Sequence, residues 1–130
     1  MAMTEPSYEH GTRGVPYIDG PKIVVMASDS QDPGSATFCI RNEDHTLGNA
    51  LRYIIMKKCG LSFCGYSVPH PSEYQINLRI QTDGTITAVD ALHQGLSDLI
   101  DLTAHVKETF TDKIKQGGYE LREGADPDAE

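Results

Sequence analysis

Apolar and polar residues alternate most regularly between residues 74 and 82. The apolar members are Tyr74, Ile76, Leu78 and Ile80, and the polar members between them are Gln75, Asn77, Arg79 and Gln81. A period of two is typical of a β-strand with one buried face and one wet face. Two β-rich runs, 22–27 and 36–41, flank a turn at 31–35 and predict a hairpin. With a further strand at 63–68, the pattern predicts an antiparallel sheet that is covered on one face.

A helical pattern follows the hairpin, from about residue 46 to residue 58. Its end signals are Glu43, Asp44 and the predicted N-cap Thr46 on one side, and Lys57, Lys58 and Gly60 on the other. The predicted core face consists of Leu47, Ala50, Leu51, Ile54 and Ile55. The opposite face carries a row at spacings of four, three and four, which consists of His45, Asn49, Arg52 and Met56. This row is either a protein-contacting surface, since Arg supplies directed hydrogen bonds and Met adaptable packing, or an ordinary wet face.

A second helical pattern runs from about residue 87 to residue 116, with Thr85 or Thr87 as its predicted N-cap. Its apolar stripe consists of Val89, Leu92, Leu96, Leu99, Ile100, Thr103, Val106, Phe110 and Ile114. A helix of about thirty residues extends about 45 Å, whereas a domain of about 100 residues is roughly 35 Å across. The helix is therefore expected to outrun its own sheet.

The distal end of this stripe is expected to lack a cover from the same chain. It contains Val106, Phe110 and Ile114. A Phe side chain buries roughly 150 to 250 Å² when it is covered, and an exposed apolar patch of this kind marks an interaction site. A partner helix is the simplest cover. The alternative is the core helix of a monomer with frayed last turns, which gives no reason for Phe110.

The length of 130 residues fits one domain, because domains usually need about 100 to 150 residues. Gly- and Pro-rich residues 1–21 predict a flexible N-terminal arm, residues 22–116 the domain, and residues 117–130 an acidic disordered tail. The longest apolar run, 23–27, is far below the roughly 18 residues of a membrane span. A soluble, intracellular protein without a membrane partner is expected.

The formal net charge of −8 is concentrated at the two ends of the chain. Residues 117–130 carry −4 and residues 1–21 carry −2, which leaves −2 for residues 22–116. A protein that binds nucleic acid through phosphates needs a basic face, and the largest basic cluster here is Lys57-Lys58. No direct contact with nucleic acid is therefore expected.

Side chains that bind metals or carry out catalysis are scattered. The cysteines, Cys39, Cys59 and Cys64, form no Cys-x-x-Cys pair, which argues against a zinc site and a disulfide framework. Asp44 and His45 are adjacent, but neighbours at a helix start point in different directions, and no nucleophile motif or phosphate loop accompanies them. We predict no catalytic residue, no cofactor and no metal, and keep an enzyme as an alternative.

One run of ten residues is far more specific than these patterns. It extends from Glu43 to Arg52 and reads Glu-Asp-His-Thr-Leu-Gly-Asn-Ala-Leu-Arg. It resembles the signature of alpha-like RNA polymerase subunits. The residues that continue the resemblance at the expected distances are Gly65, Tyr66, His70, Pro71, Glu73, Ile76, Arg79, Gln81 and Thr82. The likeness covers about residues 36–114.

Within that family, the segments 63–66, 71–73 and 77–82 are similar to the small alpha-like subunits common to RNA polymerases I and III. Polymerase II counterparts typically carry alanine at the position of Cys64 and leucine at that of Ser72. The resemblance implies a non-catalytic core assembly subunit of these two polymerases, in the nucleus including the nucleolus. It implies a role in the assembly of the large catalytic subunits for rRNA, 5S rRNA and tRNA transcription.

The resemblance also implies the fold and the partners. The fold is α+β, a four-stranded antiparallel sheet with two helices on one face, related to the dimerisation domain of bacterial RNA polymerase alpha. Its long C-terminal helix forms a heterodimer with the larger alpha-like subunit. The second-largest catalytic subunit and other polymerase subunits are further partners.

Two sets of site residues follow from the resemblance. The implied heterodimer interface consists of Leu92, Leu96, Leu99, Thr103, Val106, Phe110 and Ile114. The implied docking site for the large subunits contains His45, Asn49 and Arg52, carried over by position. Met56 from the same row and Gly48 from the motif complete the predicted set. Gly48 either permits close approach of another backbone or is simply tolerated in a first helical turn. Two other functions stay open: the paralogous small subunit of polymerase II, and a self-associating scaffold unrelated to transcription.

Overall fold

The computed structural model describes residues 20–26 and 31–121. The strands within these ranges are β1 (Ile23–Val25), β2 (Ser35–Arg41), β3 (Leu61–Ser67) and β4 (Gln75–Thr82), and the helices are α1 (His45–Met56) and α2 (Ala88–Gln116). They follow one another in the order β1, β2, α1, β3, β4, α2. Every element predicted from the periodicity is present, with ends that differ from the prediction by at most two residues.

The four strands form one antiparallel sheet in the order β1-β2-β4-β3. β1 and β2 are the predicted hairpin, and β4 lies between β2 and β3. The register places Phe38 of β2 opposite Leu78 of β4, and Tyr66 of β3 opposite Leu78 from the other side. The apolar residues of the alternating strands therefore lie on one face of the sheet, which confirms the predicted strand pattern.

The core lies on this face and includes residues from both helices. Its buried members are Phe38, Ile40, Leu51, Ile55, Cys64, Ile76, Leu78, Ile80, Ala88, Ala91 and Leu92. Burial of each large aliphatic side chain stabilises the fold by about 1.5 to 3 kcal/mol. The predicted α+β fold is confirmed: it is a four-stranded antiparallel sheet with two helices, and the C-terminal helix is the long one.

The N-cap of α1 is Asp44, not Thr46 as the sequence pattern predicted. The backbone N–H of Thr46 donates to Asp44 Oδ1 over 2.9 Å. Tyr74, just before β4, donates its hydroxyl to Asp44 Oδ2 over 2.7 Å. Asp and Thr are both good N-cap residues, and the contact with Tyr74, thirty positions away, anchors Asp44 here.

The first turns of α2 pack against the core described above, to which they contribute Ala88, Ala91 and Leu92. Thr87 is the N-cap, because its hydroxyl accepts a hydrogen bond from the Asp90 N–H over 3.1 Å. Gly95 is buried, and a Cβ at this position would meet the Ile55 side chain of α1, so the two helices approach closely here. Lys58 Nζ lies 2.5 Å from Asp98 Oδ2 and links the end of α1 to α2.

The chain divides into two compact units, residues 1–99 and residues 100–130. In the second unit α2 continues to Gln116, and every side chain from residue 100 to residue 121 is exposed. Residues 117–121 have no regular secondary structure. The rest of the predicted arm and tail, residues 1–19 and 122–130, lies outside the described residues.

Candidate subunit interfaces

The outward row on α1 comes together as its spacing predicted. His45, Asn49, Arg52 and Met56 are all exposed. Arg52 donates from Nη2 to Asn49 Oδ1 over 2.7 Å, which holds the guanidinium along the helix. The row therefore presents an oriented cation beside an apolar side chain, Met56, which is 46% exposed.

Tyr66 of β3 connects this row to the sheet. Its hydroxyl lies 2.8 Å from His45 Nδ1 in a hydrogen bond, and the two rings meet edge to face with centroids 5.6 Å apart. The guanidinium carbon of Arg52 lies 5.6 Å from the centroid of the Tyr66 ring, within cation–π range. Tyr66 thus fixes two residues of the row from a different element. The set of docking residues predicted from the sequence did not include it, although Gly65-Tyr66 belongs to the motif.

Gly48 is buried in the first turn of α1, under the ring of Tyr66. A Cβ at this position would lie 2.7 Å from Cδ2 of Tyr66. The expected close approach therefore exists, but the neighbour is an aromatic side chain of the same chain and not another backbone. Gly48 shapes the row from beneath and adds no surface of its own.

A groove of about 770 Å³ runs along this side of α1. Its lining consists of His45, Thr46, Asn49, Ala50, Arg52, Tyr53, Met56, Lys57 and Cys64. Four of the five predicted docking residues line it, and Gly48 does not. The lining includes Arg52, Tyr53 and Met56, and Arg, Tyr and Met are residue types that are enriched in protein–protein interfaces.

The pKa values of two ionisable groups near the groove differ from their ordinary values. The hydrogen bond from Tyr74, helped by the one from Thr46 N, lowers the pKa of Asp44 below its ordinary value. Burial raises the pKa of the Cys64 thiol to about 11, against a smaller opposing effect of the Arg52 charge. Asp44 is therefore held as a carboxylate, and Cys64 is a neutral thiol at physiological pH.

The predicted stripe of α2 is divided between two environments. Leu92 is only 5% exposed and lies in the chain's own core, so it has little surface left for a partner. Leu96 and Leu99 are half-buried and pack against that core. In the second unit Thr103 is exposed, and the exposed fractions of Val106, Phe110 and Ile114 are 58%, 67% and 47%.

Over residues 20–26 and 31–121, no group of three His, Cys, Asp or Glu side chains is placed to hold a metal ion. Asp44 and His45 bond to Tyr74 and Tyr66 respectively, and no hydrogen bond joins the two in the described part of the chain. None of the helices that the structure describes has both the length and the apolar character for a membrane crossing.

Comparison with known proteins assigns this arrangement to a family. Residues 35–109 match the RNA polymerase Rpb3/Rpb11 dimerisation domain. The chain is 60% identical over 94 residues to DNA-directed RNA polymerases I and III subunit RPAC2 of Saccharomyces cerevisiae, which covers 72% of this chain and 66% of the yeast protein. It is 56% identical over 93 residues to the Schizosaccharomyces pombe subunit of the same name, covering 72% and 74%.

Two more distant similarities are to a polymerase II subunit and to an RNA polymerase subunit L. The probable DNA-directed RNA polymerase II subunit RPB11 of Caenorhabditis elegans is 40% identical over 104 residues, covering 78% of this chain and 85% of that protein. The crystal structure of DNA-directed RNA polymerase subunit L from Thermoplasma acidophilum shares the fold, with a TM-score of 0.60 at 17% identity. It covers 76% of this chain and 96% of subunit L. The chain therefore belongs to the family of RNA polymerase subunits that carry the Rpb3/Rpb11 dimerisation domain.

Proposed function

We propose that the chain is a non-catalytic assembly subunit shared by RNA polymerases I and III, acting in the nucleus including the nucleolus. The identities support this choice, since they are 60% and 56% to two subunits named for polymerases I and III and 40% to one named for polymerase II. The groups that the sequence offered for catalysis, Asp44 and His45, instead cap and brace α1. The role we propose is thus binding, not turnover.

The larger alpha-like subunit is the proposed heterodimer partner, and α2 is the proposed contact. The observation that carries this proposal is the row of apolar side chains at Val106, Phe110 and Ile114, each about half exposed or more. One helical face with three large apolar residues in water needs a cover. Thr103 on the same face and the exposed edges of Leu96 and Leu99 complete the proposed interface, whereas Leu92 supports it from within the core.

The outward row of α1 is the proposed docking site for the large catalytic subunits, above all the second-largest. His45, Asn49, Arg52 and Met56 would make the contact, and Gly48 would set the position of the Tyr66 ring behind them. The two proposed contacts use different helices, α1 and α2, which supports a stepwise assembly, in which the heterodimer forms first and the large subunits bind afterwards.

Co-expression with each candidate partner tests the proposal. The chain is produced with the larger alpha-like subunit of polymerases I and III, with its polymerase II counterpart, and alone, and the mass of each product is measured by light scattering. We expect a one-to-one heterodimer with the first partner only. A stable homodimer that ignores the first partner would support a self-associating scaffold, and preference for the second would support the polymerase II paralogue.

A further inference from the structure

The groove along α1 is cationic, although the whole chain carries a net charge of −8. Its lining contains Arg52 and Lys57 and neither Asp nor Glu. Lys22 and Lys58, by contrast, pair with Glu43 and Asp98 of the same chain at 2.9 and 2.5 Å. Within residues 20–26 and 31–121, Arg52 and Lys57 form no such ion pair. The groove therefore offers two positive charges that the described fold does not neutralise.

The Arg52 guanidinium is oriented by neutral groups. Of its five N–H donors, one at Nη2 is used by Asn49, and the Tyr66 ring lies against the guanidinium. Both contacts fix the side chain without cancelling its charge. A carboxylate matches the geometry of a guanidinium through two parallel hydrogen bonds, and a fixed side chain loses little further conformational entropy on binding.

Large apolar side chains line the groove beside these cations. Tyr53 is 60% exposed and Met56 is 46% exposed, and both line the groove beside Arg52. Lys57 Nζ lies 4.5 Å from the centroid of the Tyr53 ring. A phosphate backbone is held by an extended basic face, whereas two cations next to a Met and a Tyr suit a peptide that carries an acid beside a large apolar side chain.

We propose that this groove receives an acidic and partly apolar segment of another polymerase subunit, with Arg52 holding its carboxylate and Tyr53 and Met56 packing against its apolar neighbour. The inference rests on the proposed docking role of α1 and adds the chemistry of the segment that docks. Charge complementarity indicates the occupant, because two cations line the groove without an ion pair in the described fold and no acidic side chain lines it.

Zero-length carbodiimide coupling tests the proposal on assembled polymerase I, since it joins an amine to a carboxylate only where the two are in contact. In the wild-type polymerase we expect Lys57 joined to an Asp or Glu of another subunit. The variant Arg52→Lys supplies an amine at position 52 and is expected to add a second junction to the same segment. Lys58 is the internal control, because its junction to Asp98 is expected in the wild-type polymerase and in the Arg52→Lys variant alike.

The outcomes distinguish the acidic segment from the docking role of α1. If the Lys58–Asp98 junction forms but neither position 52 nor position 57 reaches a carboxylate of another chain, the acidic segment is refuted while the docking role stands. If the chain does not enter the polymerase at all, the proposed function fails and the acidic segment with it.

A binding measurement provides a second test that does not depend on coupling. The binding of the purified heterodimer is measured to the largest and to the second-largest catalytic subunit separately. Arg52→Gln is expected to weaken binding to the subunit that carries the acidic segment about tenfold or more at low ionic strength. The matched control Lys115→Gln removes an exposed cation from α2 and should leave the affinity unchanged. Equal affinities for the two variants would overturn the proposal. Binding that depends on Arg52 but is abolished by nuclease would also overturn it, because the ligand would then be nucleic acid.

Discussion

Gly48 of α1 and Tyr66 of β3 are in such close contact that a Cβ at position 48 would lie 2.7 Å from a ring carbon of the tyrosine. The same ring bonds to His45 and lies against Arg52. The absence of a side chain at Gly48 therefore leaves room for the ring that contacts His45 and Arg52 of the outward row. The glycine of the family motif has a positional role in this chain.

Replacing Gly48 with alanine is expected to destabilise the fold. Helix propensity favours alanine by up to about 1 kcal/mol, but forcing a methyl group against a packed ring costs about 1 to 3 kcal/mol. We expect a net loss of about 1 kcal/mol in the free energy of unfolding, measured by urea denaturation of the purified chain. In a Tyr66→Leu background, where the ring atoms are absent, the same alanine should cost less. An alanine that stabilises the wild-type chain would contradict the close packing.

Phe110→Asp is expected to abolish formation of the heterodimer with the larger alpha-like subunit and to leave the isolated fold largely intact. Phe110 is 67% exposed in the chain, so the charge is buried only in the complex, where an unpaired carboxylate is strongly unfavourable. Circular dichroism and thermal unfolding check the fold, and size-exclusion chromatography of the mixed subunits checks the heterodimer.

His105→Asp is the matched control for Phe110→Asp. It introduces the same charge on an exposed side chain, about 140° around the helix from Phe110 at 100° per residue. We expect the His105→Asp chain to bind its partner like the wild type. If both variants lose the heterodimer, the effect belongs to the charge or to the helix and not to the face that contains Phe110.

Low pH is expected to destabilise the start of α1. The hydrogen bonds from Tyr74 and Thr46 lower the pKa of Asp44 below its ordinary value of 3.8. A carboxyl group with a lowered pKa in the folded state contributes stability above its unfolded pKa and loses that contribution as the pH falls through the folded pKa. The wild-type chain should therefore lose stability below pH 3.8 more steeply than an Asp44→Asn chain, which keeps an N-cap acceptor but does not titrate.

Thermal unfolding at a series of pH values measures this difference. Hydrogen bonds from Thr85 also lower the pKa of Asp83, so Asp83 contributes to the loss of stability in acid as well. Asp44→Asn should therefore reduce the acid sensitivity and not remove it. Asp112→Asn, an exposed position on α2, is the control. Identical acid profiles for the wild type and the Asp44→Asn chain would show that the N-cap carboxylate does not couple to folding.

Cysteine alkylation should distinguish Cys59 from Cys64. Cys59 is exposed, whereas Cys64 is 5% exposed and its burial raises the thiol pKa to about 11. The thiolate is the reactive form, so iodoacetamide at neutral pH is expected to modify Cys59 first and Cys64 only after denaturant is added. Peptide mass spectrometry measures both rates. Rapid modification of Cys64 in the folded chain would place its thiol in contact with solvent.

Local periodicity was sufficient to predict the strands and helices, whereas the complete fold was implied by the family resemblance. The alternation from Ile76 to Ile80 and the helical spacing around Leu51 and Ile55 each depend on neighbours along the chain, and the structure buries these residues as the spacing indicated. The bounds of α2 also followed from the sequence, since the pattern predicted a helix from about residue 87 to residue 116 and the helix spans Ala88–Gln116 with Thr87 as its N-cap.

Contacts between distant segments were not visible in these patterns. Asp44 is the N-cap in preference to Thr46 and accepts a hydrogen bond from Tyr74, and Tyr66 packs over Gly48, where a side chain would meet its ring. Both partners lie on strands or turns far from α1 in sequence, and a single sequence carries no signal for such pairs. The same limit explains Leu92, since 3-4 spacing identifies an apolar stripe but not which of its residues the chain itself covers.

The exposed face around Phe110 has a consequence for how much of this protein a cell contains. Degradation pathways act on proteins that expose apolar surface, and the chain without a partner presents Val106, Phe110 and Ile114 in water. We expect surplus copies to be short-lived and copies within a heterodimer to be long-lived. The ratio of the two alpha-like subunits would then be kept near one by turnover, even where their rates of synthesis differ.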